Sequence, residues 1–372
     1  MNKNQNKRSK ESLKTSPPKI VQWWYRRRLV LPLIPMLPLS LVFTCMAWLR
    51  RLLFFIRLKK THNFPVPVII VGNVTVGGTG KTPLVLALVE ALQEQGFRPG
   101  IVSRGYGGQG PFPQAVQPDS KASDVGDEPL MLAQLTGVPV AVAPKRPQAV
   151  SLLLAEHAVD IIIADDGLQH YALGRQIEIA VVDGERGLGN GWRLPAGPLR
   201  ESKRRLRKVD WVVVNGAVPD DLDDYARRLG LRKHPRKLVA MQLQQTGWRR
   251  VSDNQEIDVP DGESALAIAG IGNPERFFNL LKAQHIDLLE TRVYPDHYQY
   301  RTQDFYNVSN EVPVLMTEKD AVKCRSFARP HWYFLQVKAR FSGDFLEQLS
   351  ARVKPASVAN NDTNAEARAA QE

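Results

Sequence analysis

The chain has 372 residues and 43% hydrophobic content, enough for a buried core and, at this length, for two domains. Its net charge of +12 hints at nucleic acid, but the excess is local: residues 1–60 hold 14 Lys and Arg against the single acid Glu11, leaving 36 basic and 37 acidic residues elsewhere. A basic rim beside an apolar stretch suits an anionic membrane surface better than a duplex groove, and two isolated cysteines, Cys45 and Cys324, argue against a zinc site and fit a reducing compartment.

Residues 1–19 are polar and basic and are expected to be disordered. An uncharged apolar run of 21 residues follows at 29–49, about long enough to span a bilayer. Pro32, Pro35 and Pro38 interrupt its first half and disfavour one straight helix. Arginines flank both ends, at Arg26–Arg28 and Arg50–Arg51, so charge gives no orientation. The run lies too late and is too long for a signal peptide, and no small-residue cleavage site follows it. Residues 20–62 therefore read as a membrane anchor segment, either spanning or lying in the interface. The competing reading is a buried hairpin.

From residue 66 the pattern changes. VPVIIVGN, RPGIVSR, VPVAVA, VDIIIADD, IEIAVVDG and VDWVVVNG are short apolar strands separated by helical stretches such as PLVLALVEALQEQG. Continuous Val/Ile runs between helices mark a parallel sheet buried on both faces. The expectation is a doubly wound α/β domain over 63–245. A second, smaller α/β domain is expected over 246–352, from SALAIAGIGNPERFFNLLKAQ, VPVLMTEKDAVK and HWYFLQVKARF. The small polar tail 353–372 is expected to be disordered. There is no internal repeat.

VIIVGNVTVGGTGKTPLVLAL (68–88) reads as strand, glycine-rich turn and helix, the frame of a phosphate-binding P-loop. Glycines let successive amides converge on phosphate oxygens, and the helix N-terminus adds its positive dipole end. The nucleotide-binding residues are Thr75, Val76, Gly77, Gly78, Thr79, Gly80, Lys81 and Thr82. Lys81 would bridge the β- and γ-phosphates, and the Thr82 hydroxyl would reach Mg²⁺. The generic pattern wants glycine at Thr75. VDIIIADDGLQH supplies the partner acids, Asp165 and Asp166, at a strand end. One of the two would hold Mg²⁺. The competing reading is an ordinary strand-to-turn transition.

Several motifs agree with one family. GNVTVGGTGKTP, SRGYGG, GDEP, DDGLQH, RLPAGPLRE, GIGNPERFF, PDHYQY and TEKDAVK run in order from residue 72 to residue 323, and the sequence resembles the lipid A 4′-kinases (tetraacyldisaccharide 4′-kinases). That family itself has threonine or a similar residue at the Thr75 position. The resemblance implies a P-loop kinase fold with ATP and Mg²⁺ as cofactors. It implies γ-phosphoryl transfer to the 4′-hydroxyl of a lipid A disaccharide 1-phosphate precursor, giving a product like lipid IVA, at the cytoplasmic face of the inner membrane. No nucleic-acid partner is expected, and the chain is expected to act as a monomer.

The acceptor side follows from the same resemblance. Asp127, in SDVGDEPLMLA, reads unaided as a helix-capping acid; the resemblance makes it the catalytic base. His297 would pair with it, with Asp296 orienting the imidazole. DHY stands here where many relatives read DHH, which leaves Tyr298 without a second-histidine role. A pair between Asp127 and His297 would place the site in a cleft between domains, assembled by closure. Arg104, Gln169, His170, Arg200 and Glu201 are the candidate substrate-binding residues. RESKRRLRK (200–208) reads as a solvated face that can meet lipid head groups, and PERFF (274–278) as the cap and packing face of a helix. The alternative is a membrane-partitioning or signalling P-loop ATPase. Those carry a lysine early in the loop, where this chain has Val76. A transporter-linked subunit would need an LSGGQ segment, and there is none.

Overall fold

The computed structural model describes residues 19–26, 28–216, 219–258, 264–295 and 298–353. The expected disordered tails fall outside these residues, apart from Lys19 and Val353, and so do Asp296 and His297. A short helix α1 (Lys19–Trp24) opens the chain; a 3-10 turn (Leu31–Met36) leads into helix α2 (Leu37–Phe55). Pro32 and Pro38 occupy first turns, where no amide donor is needed, and Pro35 stays within the 3-10 turn. The apolar run therefore changes from 3-10 to α-helical geometry at Leu37. It is not a buried hairpin, because Leu39, Leu41, Val42, Met46 and Leu49 are exposed.

The first half then alternates as expected: β1 (Val68–Gly72), α3 (Lys81–Glu94), β2 (Pro99–Ser103), β3 (Gln114–Val116), α4 (Ala122–Val125), α5 (Asp127–Thr136), β4 (Val140–Val142), α6 (Arg146–Glu156), β5 (Ile161–Ala164), β6 (Ile177–Asp183), β7 (Trp211–Asn215) and α7 (Leu222–Leu229). The second half holds β8 (Leu238–Arg250), β9 (Glu256–Ile257), β10 (Ala265–Ala269), α8 (Pro274–Ala283), β11 (Leu288–Val293), β12 (Val314–Thr317), α9 (Glu318–Cys324), β13 (Trp332–Phe341) and α10 (Phe345–Arg352).

Successive residues of a strand point to opposite faces, so an all-apolar strand must be covered twice. In β1, Ile69 and Val71 join Leu84, Leu88 and Leu92 of α3, while Val68 and Ile70 join Val150 and Leu153 of α6. Each such buried side chain contributes about 1.5–3 kcal/mol. The second half has two cores of its own, one around Phe305 and Trp332, the other around Phe278 and Leu281.

The two halves share one sheet, in the order β11-β10-β12-β13-β8-β7-β6-β1-β5-β2-β4-β3, with β9 on β8. β8 joins them. Leu238–Met241 pairs parallel with β7, and Met241–Arg250 pairs antiparallel with β13. The boundary expected after residue 245 thus falls inside a strand. No proline or turn cluster interrupts LVAMQLQQTGWRR, and the irregularity near Gly247 is a bulge opposite Gln336 and Val337.

The expected unit 246–352 is also not closed at its C-terminus. Phe345, Leu349 and Val353 on and beside α10 return to the core of the first half. There the Phe345 ring meets Trp211 edge-on, with centroids 5.5 Å apart. Phe345→Ala should therefore cost about 3–5 kcal/mol, read by denaturant unfolding, with hydrogen exchange accelerating in β7. Acceleration confined to β10–β12 would contradict this packing.

Candidate active site

β1 ends at Gly72, and the chain must turn back over its own helix. Gly77 and Gly80 take the left-handed region, with φ of 97° and 91°. At Gly80 a Cβ would fall 2.3 Å from the Asn215 side-chain nitrogen, so only glycine fits there. Gly80 caps α3 without a side-chain bond, which leaves the helix's first amides free for an anion.

Neighbouring segments hold the loop from outside. Asn73 Nδ2 donates to the Gly77 carbonyl at 3.1 Å, and Asn215 Nδ2 donates to the Thr79 carbonyl at 3.1 Å. Gln169 Nε2 donates to the Asn73 carbonyl at 2.9 Å. Val76 N donates to the Pro198 carbonyl at 2.9 Å, and Arg200 N to the Val74 carbonyl at 2.8 Å. Thr75 forms an isolated antiparallel bridge with Leu199. That extended pairing explains the missing glycine: Thr75 needs no left-handed backbone. The Tyr25 hydroxyl, beyond α1, donates to the Val76 carbonyl at 3.1 Å.

Asp165 and Asp166 follow the fully buried β5. Asp166 faces Lys81 Nζ at 3.6 Å and Arg200 Nη1 at 2.9 Å. Burial pushes its carboxyl up, but Lys81 and then Arg200 outweigh it and hold the pKa below its usual value. Asp165 is different. Burial, then the Glu128 charge, pushes it up to about 7 against the pull of Lys81. Its Oδ1 is buried with no hydrogen-bond partner among the described residues. Carboxylates and the Thr82 hydroxyl are hard oxygen donors, so the cluster fits Mg²⁺. Among the described residues no three acidic or His/Cys side chains converge on one point, so water and phosphate would complete such a shell.

Asp127 opens α5, and its side chain is buried. The cap position belongs to Gly126, with no side-chain capping bond, so Asp127 is not the helix cap. Its Oδ1 accepts from Gln299 Nε2 at 3.0 Å, across 172 residues. Next to it, Glu128 accepts from Lys319 Nζ at 3.2 Å. PDHYQY and TEKDAVK are thus brought against GDEP, and the halves meet at Asp127. Tyr298 is turned away: its hydroxyl donates to Asp304 at 3.1 Å, and its ring packs on Tyr294 and Tyr300.

The other candidates are divided. Arg104 is exposed after β2. Arg200 is engaged by Asp166 and Gln169 by the phosphate loop. Glu201 is buried, accepts from the Tyr171 hydroxyl at 2.5 Å and lies 3.6 Å from Arg205. The solvated face expected at 200–208 needs correction there. Arg205 is buried between Glu178 and Glu201, whereas Lys203, Arg204, Arg207 and Lys208 are exposed.

Sequence reading passed over Gln299, Lys319, Asn73, Asn215, Arg146 and Asp320. Arg146 is buried and donates to the Asp166 carbonyl at 3.3 Å. Asp320, fully buried, accepts from Gly270 N at 3.0 Å, from the Thr317 hydroxyl at 2.7 Å and from the Tyr300 hydroxyl at 3.1 Å. It ties three motif loops together. All but Arg146 and Asn215 lie inside the quoted motifs, which was the available signal.

His170 Nε2 is buried without a hydrogen-bond partner among the described residues. Burial, then Arg146, Arg50, Arg175 and Arg104, pushes its pKa down to about 4. The unfolded chain takes up that proton at about 6.5. Its contribution to stability is therefore present above pH 6.5 and lost as pH falls toward 4. His170→Gln should flatten the thermal-stability curve between pH 4 and 7; an unaltered curve would place the histidine in water.

Comparison with known proteins gives the family. The family model for tetraacyldisaccharide-1-P 4′-kinase matches residues 33–354. The tetraacyldisaccharide 4′-kinase of Idiomarina loihiensis is 46% identical over 318 residues, covering 85% of this chain and 92% of the relative. That of a Shewanella species is 47% identical, covering 86% and 90%. The crystal structure of LpxK from Aquifex aeolicus in complex with ATP superposes with a TM-score of 0.72 at 26% identity, covering 87% of this chain and 98% of that one. The chain belongs to the tetraacyldisaccharide 4′-kinase family.

Proposed function

We propose the following division of labour for the transfer of the ATP γ-phosphoryl group to the 4′-hydroxyl of a lipid A disaccharide 1-phosphate, the family's reaction. The observation that carries it is the meeting of two clusters. The loop after β2 lies against the residues just before Asp127: a Cβ at Gly105 would fall 3.2 Å from the Val125 carbonyl. Asp165 N donates to the Val102 carbonyl of β2 at 2.9 Å. The Asp127 end of α5 therefore lies beside the acids of the phosphate site, and the Glu128 charge raises the Asp165 carboxyl.

Lys81 and the free amides of α3 hold the β- and γ-phosphates. Lys81 is steered by Asp166, and Lys81 and then Arg200 hold that carboxyl below its usual pKa. Asp165 and Thr82 would hold Mg²⁺, which would neutralise charge on the phosphate oxygens. Asp127 takes the proton of the 4′-hydroxyl as its oxygen bonds to the γ-phosphorus, and the bond from that phosphorus to the β–γ bridging oxygen breaks, releasing ADP. Gln299 fixes the Asp127 carboxylate. We retain His297 as the partner of Asp127, oriented by Asp296; both lie outside the described residues. Arg104 and Arg146 supply positive charge for the acidic acceptor, and His170, held neutral by burial and the arginines around it, offers a hydrogen-bonding ring. Asp127→Asn should lower kcat about 10²–10⁴-fold in a lipid phosphorylation assay, with ATP affinity kept. Lys81→Ala should weaken ATP binding as well. A kcat within tenfold of normal for Asp127→Asn would remove the base assignment.

The anchor reading concerns α2, which belongs to an apolar segment, Leu31–Phe55, of mean hydropathy 1.7 with 11% buried. One face of α2 is docked on the body at both ends. The Ser40 hydroxyl donates to the Arg193 carbonyl at 2.8 Å, Arg51 lies over the Tyr171 ring at 5.8 Å, and Phe54 packs on that ring. The opposite face presents Leu39, Val42, Met46 and Leu49 at helical spacing, all exposed. Docking at both ends favours a helix that lies in the interface over one that crosses the bilayer. The inner membrane's cytoplasmic face, with a monomeric enzyme on it, is the location this favours. Replacing Leu39, Val42 and Met46 together by Asp should abolish co-sedimentation with phosphatidylglycerol vesicles while the unfolding temperature holds. Retained binding would move the anchor elsewhere.

A further inference from the structure

Arg276 is set apart from the other arginines around the phosphate loop. Arg146 donates to a backbone carbonyl, and Arg200 pairs with Asp166. Arg186 donates to the Gly272 carbonyl and lies over the Tyr25 ring at 5.2 Å. Arg276, in the first turn of α8, is half-buried, and among the described residues its side chain has no hydrogen bond, ion pair or ring contact. Instead it lies against Gly216, where a Cβ would fall 3.3 Å from both terminal nitrogens and 3.5 Å from the central carbon. Gly216 follows β7 with φ of 85°, a conformation that suits glycine.

Topology says what belongs there. The phosphate chain lies over the N-terminus of α3, and the contact of Lys81 with Asp166 marks the γ end as the β5 side. β5 and β6 flank β1 on opposite sides, with β7 beyond β6. A nucleotide whose γ-phosphate points to β5 must send its nucleoside over the carboxyl ends of β6 and β7. The end of β7 is tied to the phosphate loop by the bond from Asn215 to the Thr79 carbonyl. Gly216 follows at once, free of a side chain, with the Arg276 plane against it. The loop before α8 is close as well: a Cβ at Gly272 would fall 3.1 Å from Gly78 N.

We propose that Arg276 is a nucleotide-binding residue that stacks its guanidinium on the purine ring of ATP. This rests on the ATP-site reading of the loop and extends it to the base. A planar guanidinium with unspent donors stacks on an aromatic face better than an ammonium does. The residue comes from the second half of the chain while the phosphates are held by the first. ATP then bridges the halves, whereas a bare phosphate chain does not.

Two probes separate this from its rivals. The full-length protein in detergent micelles is titrated calorimetrically with Mg²⁺ and a non-hydrolysable ATP analogue, then with Mg²⁺ and inorganic tripolyphosphate. Arg276→Ala should weaken the analogue about 3–30-fold and leave tripolyphosphate within twofold, which also shows that the loop still folds. Arg276→Lys should lose most of the same increment, because the plane is gone. An unchanged analogue affinity overturns the proposal. An equal loss for tripolyphosphate overturns it too, and assigns the arginine to a phosphate. Failure of the wild-type protein to bind either probe would instead count against the ATP site itself.

Discussion

Two adjacent carboxylates at the end of one strand, Asp165 buried and Asp166 half-buried, set the terms for everything around them. Asp165 and Asp166 lie beside the phosphate loop, where under the proposed function more negative charge arrives. Burial pushes both carboxyls up. Asp166 stays ionised because Lys81 and Arg200 stand within 3.6 Å and 2.9 Å of it. Asp165 has no such pair and is pushed up to about 7. The two acids thus differ in readiness by environment alone. One is a fixed anion held against the lysine; the other is an acid without a paired base among the described residues. Arg200 can play its part only because its own backbone is bonded to Val74, so the segment that shapes the loop also sets its charge.

The second constraint is the shared strand. β8 pairs with β7 at one end and β13 at the other, so the halves are continuous through a hydrogen-bonded ladder and through α10. Motion between them is then a twist or flex of a common sheet rather than a swing on a linker. The site bonds across the cleft sit above that sheet, at Asp127 with Gln299 and at Glu128 with Lys319. A polar contact here breaks at little net cost in water, on the order of 1 kcal/mol each, whereas the ladder does not.

Much of this was legible in the chain. The Val/Ile runs announced buried parallel strands, because a strand covered on both faces has no polar alternation to hide. The phosphate loop was legible because glycine, lysine and threonine are dictated locally by backbone geometry and anion chemistry. What stayed hidden depends on distant partners. Nothing in LVAMQLQQTGWRR says that its two ends serve different neighbours. RESKRRLRK looks uniformly solvated until Glu178 is seen beneath Arg205. Gln299 and Asp320 have ordinary polar side chains whose roles come from contacts 172 and 50 residues away. The departure at Thr75 was visible, but its cause, the bridge to Leu199, was not.

The bond from Tyr25 to the Val76 carbonyl changes what the N-terminal segment is. It is usual to think of such a segment as a tether that can be trimmed to make a soluble enzyme. Here the same stretch that leads to the apolar helix also supports the lip of the phosphate loop. The Trp24 indole donates to the Pro195 carbonyl beside it at 2.9 Å. A fragment starting after residue 60 would lose the apolar helix and the Tyr25 support of the phosphate loop in one cut. Its inactivity would say nothing about whether catalysis needs a lipid surface.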